Sequence, residues 1–119
     1  MQGKMTPPYP VDTDAVNLTG TSSKFTLLNA DVTPSRYLIR GKTCYLTITL
    51  HCVTPVSSSE VVCSVPRVTS CMGNSVNLIL RNYYNPDLAL SGLIQNGILY
   101  VLGGTAGTDY GITIAYPID

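Results

Sequence analysis

His51 is the only histidine in the chain, so any proton-transfer chemistry would pass through it or through carboxylates and tyrosines. Nucleophilic catalysis would couple it to a Ser or Cys and an orienting acid, yet no Gly-x-Ser-x-Gly or comparable local signature is present. His51 alternates with Tyr45, Thr47 and Thr49, which puts it on the solvent or interface face of a strand. The seven acids, Asp12, Asp14, Asp31, Glu60, Asp87, Asp109 and Asp119, are scattered through loops and ends, whereas glycoside hydrolysis needs two carboxylates facing one cleft. Asp12-Thr-Asp14 is too sparse for a calcium loop. Gly103-Gly-Thr-Ala-Gly107 lacks the Lys-Ser/Thr ending and following helix of a phosphate loop. Cys44, Cys52, Cys63 and Cys71 contain no Cys-x-x-Cys pair and are not spaced as structural zinc ligands. They read as buried free thiols, with disulfides open to a chain exported through an oxidising compartment. The expectation is a non-enzyme with no catalytic residue, no metal and no cofactor.

Binding chemistry has one dense candidate, Arg81-Asn82-Tyr83-Tyr84-Asn85-Pro86-Asp87. Saccharides are held by this mixture, their C–H faces lying on aromatic rings while their hydroxyls exchange hydrogen bonds with planar polar groups. Arg81, Asn82, Tyr83, Tyr84, Asn85 and Asp87 are therefore the candidate ligand-binding residues. The plainer alternative is a tyrosine-rich turn whose rings cover a sheet edge.

The elements that must position these residues are short strands. Lys24–Leu28, Arg36–Arg40, Thr43–Thr54, Ser75–Arg81, Leu88–Ile94, Ile98–Leu102 and Tyr110–Tyr116 carry apolar, β-branched or alternating patterns. Thr43–Thr54 is the clearest: Cys44, Leu46, Ile48, Leu50 and Cys52 share one face. After a loop over Pro55–Ser59, Val61, Cys63 and Val65 are expected to alternate inward until Pro66 ends the strand. Asn96-Gly97 between apolar runs signals a hairpin, and Gly103–Gly107 a flexible loop. No stretch of ten residues has a helical period, so the fold expected is an antiparallel β-sandwich, jelly roll or small barrel of seven or eight strands. Residues 1–21, with Pro7-Pro-Tyr-Pro10, read as an extended arm or linker ahead of a head domain over 22–119. Met1-Gln-Gly-Lys-Met5 is set aside as an expression scar or the edge of a longer chain.

At 119 residues, one core suffices. The chain is 45% apolar and only 12% charged, about half the usual charged share, so its surface must be Ser, Thr, Asn and Tyr, and self-association is expected. Seven cationic and seven anionic residues without runs provide no footprint for nucleic acid or an acidic membrane. No apolar stretch is long enough to span a bilayer or form a signal peptide's core, and the chain reads as soluble and unprocessed.

The order of elements over residues 36–119 resembles the distal head domain of bacteriophage tail-fibre and baseplate receptor-binding proteins. The pieces are the strand Lys42-Thr-Cys-Tyr-Leu-Thr-Ile-Thr-Leu50 after a Gly turn, the Val61–Arg67 stretch ending Val-Pro-Arg, the hairpin Leu93-Ile-Gln-Asn-Gly-Ile-Leu-Tyr100, and the terminal strand Gly111-Ile-Thr-Ile-Ala-Tyr-Pro-Ile-Asp119. The resemblance implies a homotrimeric head in the virion tail, joined to other tail proteins through an N-terminal linker and binding a bacterial cell-surface saccharide. Two departures stand out: the chain has no Trp, and Val65-Pro66 replaces the usual Leu-Pro. Other readings are a structural virion or baseplate connector that contacts only protein, and a carbohydrate-binding module cut from a longer hydrolase.

Overall fold

The computed structural model describes residues 12–119; the Pro7-Pro8-Tyr9-Pro10 stretch lies outside the described residues. Nine strands follow in order: β1 Val16–Asn17, β2 Phe25–Leu27, β3 Arg36–Arg40, β4 Thr43–Cys52, β5 Val56–Ser64, β6 Ser75–Arg81, β7 Ala89–Gln95, β8 Ile98–Gly103 and β9 Asp109–Pro117. The eight strands expected from the residue pattern are β2 to β9. The protein is all-β and antiparallel, with a single 3-10 turn, Ser70–Met72, among the described residues.

All nine strands belong to one curled sheet, ordered β1-β3-β4-β9-β6-β7-β8-β5, with β2 paired to the far end of β4. β9 and β6 meet only at Arg81 and Gly111, so the sheet splits there into two halves that face each other. One half contributes Cys44, Leu46, Ile48, Leu50, Tyr110 and Tyr116 to the core. The other contributes Leu78, Leu80, Leu90, Ile94, Leu99 and Val101. The period of two on β4 makes this possible: each inward side chain is buried while Tyr45, Thr47 and Thr49 face out.

The far seam, between the arm and β5, is closed by few bonds. Thr21 N–H donates to the Val62 carbonyl at 3.2 Å and Ser22 Oγ to Glu60 at 2.6 Å. The described part of the arm runs along β3, where Val16 is opposite Tyr37 and Asn17 opposite Arg36, and Leu18 reaches the core.

Two expectations about β5 are corrected. The strand begins at Val56, within the segment read as a loop, because backbone pairing of Val56 with Gly103 needs no apolar alternation from the serine run. Val61 faces outward at 46% exposure, whereas Val62 and Cys63 are both buried. The register against β8 shifts between Val61 and Cys63, and the inserted residue breaks the alternation.

Asn96 and Gly97 both take positive φ, 51° and 80°, as a two-residue hairpin turn of the I′ kind requires. The Gly103–Gly107 loop is tied down: Gly107 N–H donates to the Cys52 carbonyl at 2.8 Å, and Thr105 N–H to the Tyr110 hydroxyl oxygen at 2.9 Å.

Candidate functional site

Arg81 ends β6 and residues 82–88 form the connection to β7, so the tyrosine-rich segment is a loop at the end of a rigid hairpin. Asn82 organises it. Its Oδ1 accepts from the backbone N–H of Tyr84 at 3.0 Å and of Asn85 at 2.8 Å, and its Nδ2 donates to the Asp109 carbonyl at 2.8 Å. Arg81 Nη1 donates to the Pro86 carbonyl at 2.9 Å, and Asn85 Oδ1 accepts from Asp87 N–H at 3.3 Å. Asn82 N–H and the Leu88 carbonyl, 3.0 Å apart, close the neck of the loop. Short polar side chains that bond their own backbone are the usual way a tight turn is held.

The six candidate residues thus separate by role. Asn82 uses both ends of its amide on the scaffold, and Arg81 and Asn85 each use part of theirs. Tyr83 and Tyr84 carry no such duty: they are 88% and 91% exposed, with ring centroids 5.1 Å apart at an interplanar angle of 89°. Their rings do not cover the sheet edge. They form an open corner of two perpendicular aromatic walls, a preferred edge-to-face arrangement.

The structure brings to this end of the molecule a pair that the sequence does not join. His51, in the last turn of the pleat of β4, is opposite Asp109, the first residue of β9, and Nδ1 donates to Asp109 Oδ1 at 2.6 Å. Because Asn82 Nδ2 bonds the carbonyl of that same Asp109, the His–Asp pair and the tyrosine loop share one anchor. This bond fixes the imidazole orientation and leaves Nε2 as the free hydrogen-bonding atom. A His–Asp pair acts in hydrolysis only with a nucleophile or bound water and groups that stabilise the developing charge. Neither a Ser nor a Cys side chain bonds His51 among the described residues. The signal for the pair is the β4–β9 register, which places residues 58 apart in sequence side by side.

The cysteines do not gather into a site. Cys44, Cys52 and Cys63 are buried, Cys71 is exposed, and all four are free. Burial raises the thiol pKa of Cys44 and Cys52 and pushes that of Cys63 up to about 11. Burial likewise pushes the Tyr116 phenol well above its ordinary range, with its hydrogen bond to Cys44 adding to the rise, while its hydroxyl donates to the Pro66 carbonyl at 2.8 Å. Among the described residues, no three metal-ligating side chains converge. A groove of about 320 Å³ runs along the seam, lined in part by Val16, Leu18, Tyr37, Val61, Cys63 and Ile98, with no contribution from the tyrosine loop.

Comparison with known proteins returns no matching family model, no matching curated protein and no matching solved structure. Among the described residues no helix is long and apolar enough to cross a membrane.

Proposed function

We propose that this chain is a binding head whose Arg81–Asp87 loop holds a bacterial cell-surface saccharide, as the receptor-binding domain of a phage tail fibre or baseplate. The observation that carries the reading is the pair Tyr83 and Tyr84, almost wholly exposed yet mounted on a hydrogen-bonded loop. Two large aromatic side chains held open to solvent cost hydrophobic free energy that burial would recover, and a ligand with apolar C–H faces and hydroxyls recovers it on binding. Tyr83 and Tyr84 supply the ring faces and phenolic hydroxyls, Asp87 accepts from sugar hydroxyls, and Arg81 and Asn85 donate through the nitrogens not engaged in the loop. His51 Nε2 extends the hydrogen-bonding edge on the β4 side.

The orientation of the fold supports the same reading. Asp12, where the described chain begins, accepts from Gly41 N–H at 2.7 Å at the β3–β4 turn. The tyrosine loop sits beside His51, at the other end of β4, roughly 25–30 Å away at the rise of an extended strand. A tether continuing from Asp12 would leave the loop pointing away from its attachment.

The test is binding of purified host cell-wall polysaccharide, followed by calorimetry. Replacing Tyr83 and Tyr84 together by Ala should weaken binding by about 1–2 kcal/mol for each stacking ring while the far-ultraviolet spectrum is kept. A folded double variant that binds as well as the parent would place the receptor site elsewhere. An absence of saccharide binding in the parent would favour the connector reading.

A further inference from the structure

The tyrosine corner has a shape that a flat sugar ring does not fill. Tyr83 and Tyr84 meet at 89° with ring centroids 5.1 Å apart, and both are almost wholly exposed, so two free faces look into one shared angle. A pyranose offers a flat C–H face, which lies on one ring at a time. A rounded group of methyls touches both walls at once. Each ring face also carries the negative part of the ring quadrupole, and two faces at right angles concentrate that potential in the angle between them.

The charged groups around the loop agree with this. Asp87 follows Tyr84 in the same loop, and Asp109 is at the loop's foot, where its carbonyl accepts from Asn82. Among the described residues the one ion pair is His51–Asp109, so the Asp87 carboxylate has no cationic partner. Arg81, at the end of β6, is the single cation of the segment, and its Nη1 is turned to the Pro86 carbonyl. The next cation toward this end, Lys24, precedes β2, which pairs with β4 on the side away from β9.

We infer that the angle between Tyr83 and Tyr84 holds a quaternary ammonium group, a choline-type substituent of the cell-surface saccharide, with the Asp87 carboxylate balancing its charge. The inference rests on the reading of Arg81–Asp87 as the binding loop and names the part of the ligand that enters it. An N-methylated ammonium suits the corner because its charge is spread over methyl surface and it donates no hydrogen bond, so it gives up little hydration on entering. A primary ammonium would exchange its bound water for a corner whose walls accept no hydrogen bonds.

Choline chloride titrated into the whole chain and followed by NMR tests this. The choline methyl signal should move upfield over the ring faces, with a Kd of about 1–10 mM for two exposed cation–π walls. The neutral isostere 3,3-dimethylbutan-1-ol, equal in shape, should bind at least about fivefold more weakly. Tyr83→Phe, Tyr84→Phe should keep choline binding within about twofold, whereas Tyr83→Leu, Tyr84→Leu should lose the preference for choline over the isostere. Asp87→Asn should weaken choline about two- to threefold. Saturating choline should also displace the host polysaccharide.

No choline binding by about 50 mM, or equal binding of the isostere, overturns the inference. So does polysaccharide that stays bound at saturating choline. All three results come from the parent, so a variant that fails to fold does not obscure them. The two readings also fail separately. If Tyr83→Ala, Tyr84→Ala loses the polysaccharide while choline neither binds nor competes in the parent, the ammonium inference falls and the saccharide reading stands. If choline binds and no polysaccharide does, the ammonium site stands and the saccharide reading falls.

Discussion

Asn82 matters to the tyrosine loop more than its chemical resemblance to a sugar-binding amide suggests. Three hydrogen bonds converge on its side chain and tie the loop to itself and to the start of β9. Asn82→Ala removes all three and leaves the N–H groups of Tyr84 and Asn85 to water. A loss of about 1–2 kcal/mol in unfolding free energy is expected, measured by urea denaturation. Saccharide affinity should fall although Asn82 need not touch the ligand. Asn82→Asp keeps the acceptor and loses the donor to Asp109, so it should recover part of both effects. An Asn82→Ala variant with parental stability and affinity would show that the tyrosine corner is not held by this residue.

At the level of elements, β7 shows how closely the half-sheets pack. Gly92 lies opposite Leu78 on the inner face, and a Cβ there would come within 2.8 Å of Leu80 Cδ1 and 3.3 Å of Leu78 Cβ. The position is glycine because two leucines of β6 already fill its space. Gly92→Val should cost about 1–3 kcal/mol by overpacking, seen as a lower urea midpoint with an unchanged slope. The same β6–β7 pairing sets the tyrosine loop, so a strained β7 should also weaken saccharide binding. The strands themselves were largely legible from the residues. Arg36–Arg40 and Ser75–Arg81 match β3 and β6, and Asn96-Gly97 forms the expected turn, because local backbone preference and side-chain period act over a few residues. The start of β5 and its bulge were not, because a serine run has no period and a bulge is defined by the partner strand.

For the whole molecule, the buried thiols report on whether the curled sheet opens. At pH 8, Cys71 should react quickly with a thiol reagent, while Cys44, Cys52 and Cys63 should react only at the rate of opening. Burial works twice here: it blocks access and raises the thiol pKa values, to about 11 for Cys63, so that little thiolate forms. Time-resolved labelling with mass spectrometry would show one fast addition and three that become fast only in denaturant. Fast labelling of Cys63 ahead of Cys44 and Cys52 would mean that the seam beside it, held by the Thr21–Val62 and Ser22–Glu60 bonds, opens on its own.

The residues by themselves determined an all-β chain, the inward face of β4, a low-charge surface and a tyrosine-rich connection after Arg81, since each rests on composition or on neighbours a few positions apart. They also singled out Arg81, Asn82, Tyr83, Tyr84, Asn85 and Asp87 without separating their roles. Only the tertiary structure decided that Asn82 braces while Tyr83 and Tyr84 stand open. Only it joined His51 to Asp109 and collected Ile79, Leu93, Tyr100, Leu102 and Val61 on one outer face. The reason is common to all of these. Strand register and sheet order pair residues far apart in the chain, and a side chain's neighbours across a sheet are set by the partner strand, which no local pattern specifies.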